Sequence, residues 1–219
     1  LDYGDANSLM NQSSVAAATA DMLARGTAKH DRQAFEDALD GMLAKLNFDA
    51  NGQVMAASGQ TVRAHLSDLL ALTAEALEEP TFDAAEAEKM KREWLSALEQ
   101  GRTDPASVVR REIGRVNNPY PRGDIRYAPT LDEDIAAAKA VTPAAMKAFH
   151  DKFYGGAHSQ LAIVGDFDPV AVRAQLATLF GHWTTGTPYA RVPHPLVPNK
   201  AAALTFATPD KANATLRGV

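Results

Sequence analysis

Residues 21–27 read Asp21-Met22-Leu23-Ala24-Arg25-Gly26-Thr27, and they set the pattern of the first half of the chain. This stretch ends a predicted helix that begins near residue 9, because Gly26 suits the left-handed conformation that commonly follows a helix. A second helix is predicted after Asp31. The dipeptide Asn51-Gly52 then favours a tight hairpin between two strands. These strands are predicted at residues 44–48 and 53–59.

Two later stretches carry helix-start and turn signals. Glu79-Pro80-Thr81-Phe82-Asp83 interrupts one helix and places Asp83 at the start of a long helix that reaches residue 100. Asn117-Asn118-Pro119-Tyr120 opens a loop that is rich in proline. The apolar run at 161–164 predicts a buried strand that leaves the sheet at Gly165-Asp166, before a last helix. Helices and short strands therefore alternate along the whole chain.

Composition excludes several classes of protein. Acidic residues outnumber basic ones, 27 to 22, and the resulting net charge of −5 disfavours a general nucleic-acid binder. The chain has no cysteine, which excludes disulfides, thiolate metal sites and cysteine nucleophiles. This absence fits a periplasmic or secreted protein. No apolar run approaches the ~20 residues of a membrane span.

In this order and spacing, the three stretches resemble the pitrilysin/insulinase family of zinc metallopeptidases, which includes the mitochondrial processing peptidases. The resemblance implies an α+β fold, in which helices cover one side of a mixed, largely antiparallel sheet. The first strands of that sheet are truncated here, with only residues 1–5 before the first helix. The expected organisation is a degenerate metallopeptidase-like domain at 1–183, a proline-rich linker at 184–200 and the opening strands of the next repeat at 201–219.

The catalytic domain of that family carries an inverted zinc motif, H-x-x-E-H, on the helix before the Met-Leu-x-x-Gly-Thr stretch. The resemblance aligns Ala17 with the first histidine, Ala20 with the general base and Asp21 with the second histidine. A third ligand, a glutamate ~75 residues later, falls near residues 96–98, with Glu93 and Glu99 close by. Alanine can neither bind a metal nor transfer a proton. We therefore expect no catalytic residue, metal site or cofactor in this chain, with zinc held by the catalytic domain of the parent protein.

Arginines crowd into residues 102–126. They are Arg102, Arg110, Arg111, Arg115, Arg122 and Arg126. One interpretation is a surface that contacts substrate or partner, with Tyr120 and Tyr127 flanking Arg122 and Arg126. A second is an anion-binding module. The third is a solvated helix face and a loop pinned by pairs of arginine and carboxylate, because exposed charge runs usually bind nothing.

The favoured hypothesis is a non-catalytic domain of a zinc metalloendopeptidase, which helps to enclose peptide substrate and supports the catalytic half. Its partner is a catalytic metallopeptidase domain, in the same chain or in another subunit. A periplasmic or secreted location in a bacterium is expected. The first alternative is a free-standing structural subunit of the same fold, and the second is the anion-binding module of the Arg102–Arg126 cluster.

Overall fold

The computed structural model describes residues 1–116, 118–184, 187–196, 198, 201 and 203–218. Parts of three sequence predictions lie outside these residues: the turn signal at Asn117, the linker at 185, 186, 197, 199 and 200, and the tail at 202 and 219.

Helices make up most of the described chain. The α-helices are α1 (Ser13–Met22), α2 (Arg32–Gly41), α3 (Leu66–Glu78), α4 (Ala84–Gln100), α5 (Pro105–Val116), α6 (Leu131–Ala140), α7 (Pro143–Phe153) and α8 (Pro169–Phe180). The strands are β1 (Lys45–Asn51) and β2 (Val54–Gln60). Short 3₁₀ turns occupy Arg63–His65 and Gly156–His158. Among these residues, no helix is long and apolar enough to cross a membrane.

The two strands form an antiparallel hairpin in which Ala50 pairs with Met55 and Phe48 with Ala57. Leu46, Phe48 and Ala50 share the face of β1 that turns toward the helices, whereas the residues between them are exposed. Helices thus cover one face of the sheet, and the predicted α+β class is confirmed. All strand pairing in the described chain is antiparallel, so the parallel pairs of a mixed sheet are not found there.

Helix α1 lies at the centre of the fold and contacts α4, α6, α7 and β1. One buried cluster joins Ala16 and Ala20 of α1 to Tyr3 and to the aromatic end of α7. A second joins Ala18 and Met22 to Met90 of α4. Alanine on several faces of α1 allows this close approach from all sides, since the side chain is only a methyl group.

The chain leaves α1 through Gly26, which has a φ of +140°. A Cβ atom there would lie 3.1 Å from the Thr81 hydroxyl, so glycine suits both the conformation and the space. Thr27 then donates a hydrogen bond to Glu75 of α3, and the His30 ring lies 2.8 Å from the same carboxylate. These contacts fix the end of α1 against α3.

Cap residues start the later helices much as the sequence predicts. The Asp83 carboxylate accepts hydrogen bonds from the backbone of Ala85 and Glu86, at the start of α4. Asp168 does the same for α8. Helix α1 differs, because it begins at Ser13 rather than near residue 9. The Asp5 carboxylate binds the backbone N–H of Ser8 instead, and so closes a separate turn before α1.

The predicted buried strand at 161–164 is wrong. Leu161 and Val164 are 53% and 97% exposed, and the described residues show no strand there. An apolar run becomes a strand only when a neighbour pairs with its backbone, and in the described structure neither β1 nor β2 lies against this segment.

The linker and tail form neither helix nor strand where they are described, and Lys211 donates to the Thr208 carbonyl in a turn. Part of the linker packs on the domain, since Ala190 donates to the Gly4 carbonyl and Val192 is buried. The tail shows no strand among residues 203–218, and Leu204 and Leu216 are exposed. Its membership of a following repeat stays a prediction.

Candidate functional site

The three residues aligned with the zinc motif lie on α1 in different environments. Ala17 is half-buried and faces a cavity between α1, α4 and α6. Ala20 is 1% exposed and belongs to the core cluster around Tyr3. Asp21 is half-buried near the end of the helix, with its carboxylate turned toward α4.

Both carboxylate oxygens of Asp21 have protein partners. Trp94 donates its indole N–H to Oδ2 at 2.8 Å, and Arg25 approaches Oδ1 at 3.4 Å. The Arg25 guanidinium also binds Glu93 at 2.6 Å. The hydrogen bond from Arg25 lowers the pKa of Glu93, which therefore carries its charge in this pair. Asp21, Arg25 and Glu93 thus link α1 to α4.

The cavity beside Ala17 has a volume of about 790 Å³. Its wall includes Ala17 of α1 and Ala97 of α4, so the structure brings together the aligned position of the first ligand and that of the third. Both positions offer only methyl groups. Trp94 and Leu98 extend this apolar wall, while Arg111 and Asp134 bring charge to it.

The residues present do not fit a zinc ion. A catalytic zinc site uses three protein ligands, of which histidines are the commonest. Here Ala17 and Ala20 supply none, and Asp21 is bound to Trp94 and Arg25. Glu99 is paired with Arg102 at 2.8 Å. The described chain holds no group of three or more His, Cys, Asp or Glu residues that could share a metal ion.

Arg126 and Tyr120 hold the proline-rich loop together. The Arg126 guanidinium binds Asp124 through two nitrogens at 2.9 and 2.7 Å, and it stacks 3.9 Å from the centre of the Tyr120 ring. A further N–H donates to the Pro193 carbonyl at 2.6 Å. The hydrogen bonds from Arg126 lower the pKa of Asp124. With these contacts made, little of Arg126 is left for an external ligand.

Tyr127 and Arg122 both contact the carboxylate of Glu133, at the start of α6. Tyr127 donates its hydroxyl to this carboxylate at 3.0 Å, and Arg122 approaches it at 3.5 Å. The Arg122 side chain is 76% exposed and so remains available to solvent or a partner. The structure therefore places Tyr127 and Arg122 at one carboxylate, and Arg126 with Tyr120 at another.

Two further arginines of the cluster, Arg102 and Arg115, have carboxylate partners. Arg115 binds Glu112, and Arg102 binds both Glu99 and Asp132. Arg102, Arg115, Arg122 and Arg126 are thus divided among several carboxylates.

Sequence reasoning missed the polar role of Trp94 and the position of Asp134. Trp94 lies on the apolar stripe of α4, which gave no sign that its N–H meets Asp21. Burial raises the pKa of Asp134, which lines the cavity near Arg111. An aspartate in the first turn of a helix is common, so no local signal distinguishes it.

Comparisons with known proteins agree with this architecture. Residues 140–216 match the family model described as the peptidase M16 inactive domain. A crystal structure of a peptidase M16 inactive domain from Pseudomonas fluorescens is 26% identical, with a TM-score of 0.74 over 85% of this chain. The chain has the fold of an M16 inactive domain. A search of curated protein sequences finds no match.

Two other solved structures share this fold. A protease from Helicobacter pylori is 15% identical, with a TM-score of 0.69 over 88% of the chain. The periplasmic protease PqqL from Escherichia coli is 17% identical, with a TM-score of 0.57 over 87%. The chain spans 45% of the Pseudomonas protein, 46% of the Helicobacter protein and 21% of PqqL. The family-model match over residues 140–216 and the Pseudomonas structure confirm the resemblance to an inactive domain of the pitrilysin/insulinase type.

Proposed function

We propose that this M16-type domain is the non-catalytic part of a zinc-dependent metalloendopeptidase, where it helps to enclose peptide substrate. The proposal rests on the side chains that α1 presents at the three positions aligned with the zinc motif. Ala17 and Ala20 have no metal-binding or proton-transferring group, and the Asp21 carboxylate is held by Trp94 and Arg25. A helix built in this way can support a wall but cannot hydrolyse a peptide.

The cavity beside Ala17 suits this role. Its wall of methyl groups, Trp94 and Leu98 is apolar, so it can contact the apolar side chains of an unfolded segment. The charged groups, among them Arg111 and Asp134, lie at the same cavity and limit how apolar the bound segment can be. Zinc, with its acidified water, would be supplied by a catalytic domain of the same chain or of a partner subunit.

We also propose a periplasmic or secreted location. The lack of cysteine supports it. The fold shared with the periplasmic protease PqqL gives it further, weaker support.

The free-standing structural subunit remains the alternative to this proposal. The anion-binding module receives less support, because Arg102, Arg115 and Arg126 are each bound to carboxylates.

One experiment separates the non-catalytic domain of a metalloendopeptidase from the free-standing structural subunit. The zinc-bearing half, which carries H-x-x-E-H in the same or a neighbouring gene, is expressed with and without this domain.

Cleavage of an unstructured peptide is then measured for each preparation. The proposal expects neither half to be active alone and both together to be active. A zinc-bearing half with full activity in the absence of this domain would contradict it. The control is the pair mixed in the presence of a chelator, which should abolish cleavage.

A further inference from the structure

Four helices border the cavity beside Ala17, and they divide its wall into two parts. Helices α1 and α4 supply an apolar part through Ala17, Trp94 and Leu98. Helices α5 and α6 supply charge through Arg111 and Asp134. The volume of about 790 Å³ lies within the ~300–1,000 Å³ of small-ligand pockets, which are mostly apolar and carry a few polar groups that orient the ligand. The wall therefore has the composition of a small-ligand site.

Two of the carboxylates at this cavity are already bound to protein groups. Asp124 accepts two hydrogen bonds from the Arg126 guanidinium. Glu133 accepts one from the Tyr127 hydroxyl at 3.0 Å, and Arg122 approaches it at 3.5 Å. The carboxylates of Asp124 and Glu133 therefore serve the proline-rich loop and the start of α6.

Arg111 and Asp134 differ, because the described structure gives neither side chain a hydrogen bond or an ion pair. Both residues are half-buried, so each has lost part of its hydration without gaining a protein partner. Burial raises the pKa of Asp134, and the nearby charge of Arg111 opposes that rise. More than 4.0 Å nevertheless separates the guanidinium nitrogens from the carboxylate oxygens. Since a half-buried charge without a partner is costly, a ligand that pairs with these two groups is favoured.

Helix α5 carries Arg111 and is only loosely fixed to the other helices. Pro105 is the one residue of α5 that is buried among the described residues. The hydrogen bonds of its side chains stay within the helix, as between Arg115 and Glu112, or involve Asp104 just before it. Arg111 can therefore approach a ligand without breaking a side-chain hydrogen bond to another helix.

The charges and the apolar wall together indicate one class of ligand. A carboxylate suits Arg111, an ammonium suits Asp134, and apolar side chains suit the opposite wall. An internal stretch of polypeptide has no charge in its backbone, whereas a short peptide has an ammonium at one end and a carboxylate at the other. In a dipeptide these charges lie several ångströms apart, whereas a free amino acid carries both on one carbon. Trp94 and Leu98 stand one turn apart on α4, which leaves room for two apolar side chains.

We propose that this cavity binds a dipeptide with two apolar side chains, with its carboxylate on Arg111 and its ammonium on Asp134. Such dipeptides are among the products of peptide hydrolysis. The inference goes beyond the proposed function, which requires only apolar contact with an unfolded segment. It also needs no catalytic half, so the two hypotheses fail in different experiments.

The test is calorimetric titration of the full 219-residue chain with phenylalanyl-leucine at neutral pH. The same dipeptide with an acetylated amino group lacks the ammonium, and the form with an amidated carboxyl group lacks the carboxylate. We expect each of these two blocked forms to bind roughly ten-fold more weakly than the free dipeptide, because each leaves one half-buried charge without a partner.

Two variants of the protein assign the charges. Asp134→Asn should weaken binding of the free dipeptide roughly ten-fold and leave binding of the acetylated form unchanged. Arg111→Gln should act in the same way on the free and amidated forms. The matched controls are Arg110→Gln, an exposed neighbour outside the cavity wall, and Asp132→Asn, whose side chain is 82% exposed. Both controls should leave binding unchanged.

Four results would overturn the proposal. The first is no binding of the free dipeptide at millimolar concentration. The second is equal binding of a dipeptide blocked at both ends, which would mean that the cavity recognises apolar side chains alone and would leave the proposed function standing. The third is equally tight binding of free leucine, which would assign the cavity to a single amino acid. The fourth is unchanged affinity in both Asp134→Asn and Arg111→Gln, which would place the dipeptide elsewhere.

Discussion

The indole N–H of Trp94 donates a hydrogen bond to Asp21 Oδ2 at 2.8 Å, and so joins α4 to α1. The resemblance implies that Asp21 stands where the catalytic domain of the family has the second histidine of its zinc motif. Here its carboxylate closes a contact between two helices, and Arg25 with Glu93 extends that contact on the solvent side. In this domain, the Asp21 carboxylate therefore joins two helices, at a position where the resemblance implies a metal ligand in catalytic domains.

Replacement of Trp94 by Phe should destabilise the fold, because it leaves a half-buried carboxylate with one partner fewer. We expect a loss of about 1–3 kcal/mol in the free energy of unfolding, measured by urea denaturation. The control is Gln33→Ala, which removes an exposed hydrogen bond to Asp37 and should cost no more than about 0.5 kcal/mol. Equal losses for the two variants would show that the bond from Trp94 to Asp21 contributes nothing particular.

Restoration of the zinc motif should fail on this domain. The triple variant Ala17→His, Ala20→Glu, Asp21→His places a carboxylate at position 20, which is buried in the core around Tyr3. A buried charge without a partner costs several kcal/mol, so we expect a much lower melting temperature and no peptide cleavage. The single variant Ala17→His faces the cavity and should fold nearly as well as the parent. Chelator-sensitive cleavage by the triple variant would contradict this expectation.

Arg126→Lys should loosen the proline-rich loop. Lysine keeps the charge but cannot bind Asp124 through two nitrogens while stacking on Tyr120. We expect a loss of about 1–2 kcal/mol in unfolding free energy. Arg122→Lys, at an exposed position, is the matched control and should change stability by less than about 0.5 kcal/mol. A larger effect at Arg122 than at Arg126 would mean that the roles of the two arginines are reversed.

The pair of Asp124 and Arg126 should also make stability depend on acid pH. Because the folded-state pKa of Asp124 is lowered, its contribution is complete above the unfolded value of about 3.9 and is lost as the pH falls through the folded value. Urea midpoints of the parent and of Asp124→Asn, measured from pH 6 to pH 2, should differ by a constant amount above about pH 5. That difference should shrink below pH 4. A difference that persists to pH 2 would contradict the assignment.

Local signals in the sequence predicted the elements that depend on local chemistry. The hairpin around Asn51-Gly52 and the cap at Asp83 both occur as predicted, because a turn and a cap are fixed by neighbouring residues. The predicted strand at 161–164 depends on a distant neighbour to pair with its backbone. An apolar run does not reveal whether such a neighbour exists, so the hydrophobic pattern alone could not decide whether residues 161–164 form a strand.

In the candidate site too, the sequence identified positions on single elements but not the contacts between distant residues. The resemblance matches Ala17 to the first zinc ligand and residues 96–98 to the third, and in the structure Ala17 and Ala97 line one cavity. The partners of Asp21 and Arg126 could not be read in this way. Trp94 lies 73 positions from Asp21, and Pro193 lies 67 positions from Arg126. Such contacts are fixed by how helices and loops pack, which sequence spacing does not report.

We propose that this domain holds no zinc ion at the positions that the resemblance aligns with the zinc motif. Calorimetric titration of Zn²⁺ into the chelator-treated full chain at neutral pH tests it most directly. A functional zinc site needs a complete ligand set, and Ala17, Ala20 and the hydrogen-bonded Asp21 do not supply one. We predict no stoichiometric binding at micromolar concentrations. Binding of one zinc ion per chain that Asp21→Ala abolishes would contradict the account.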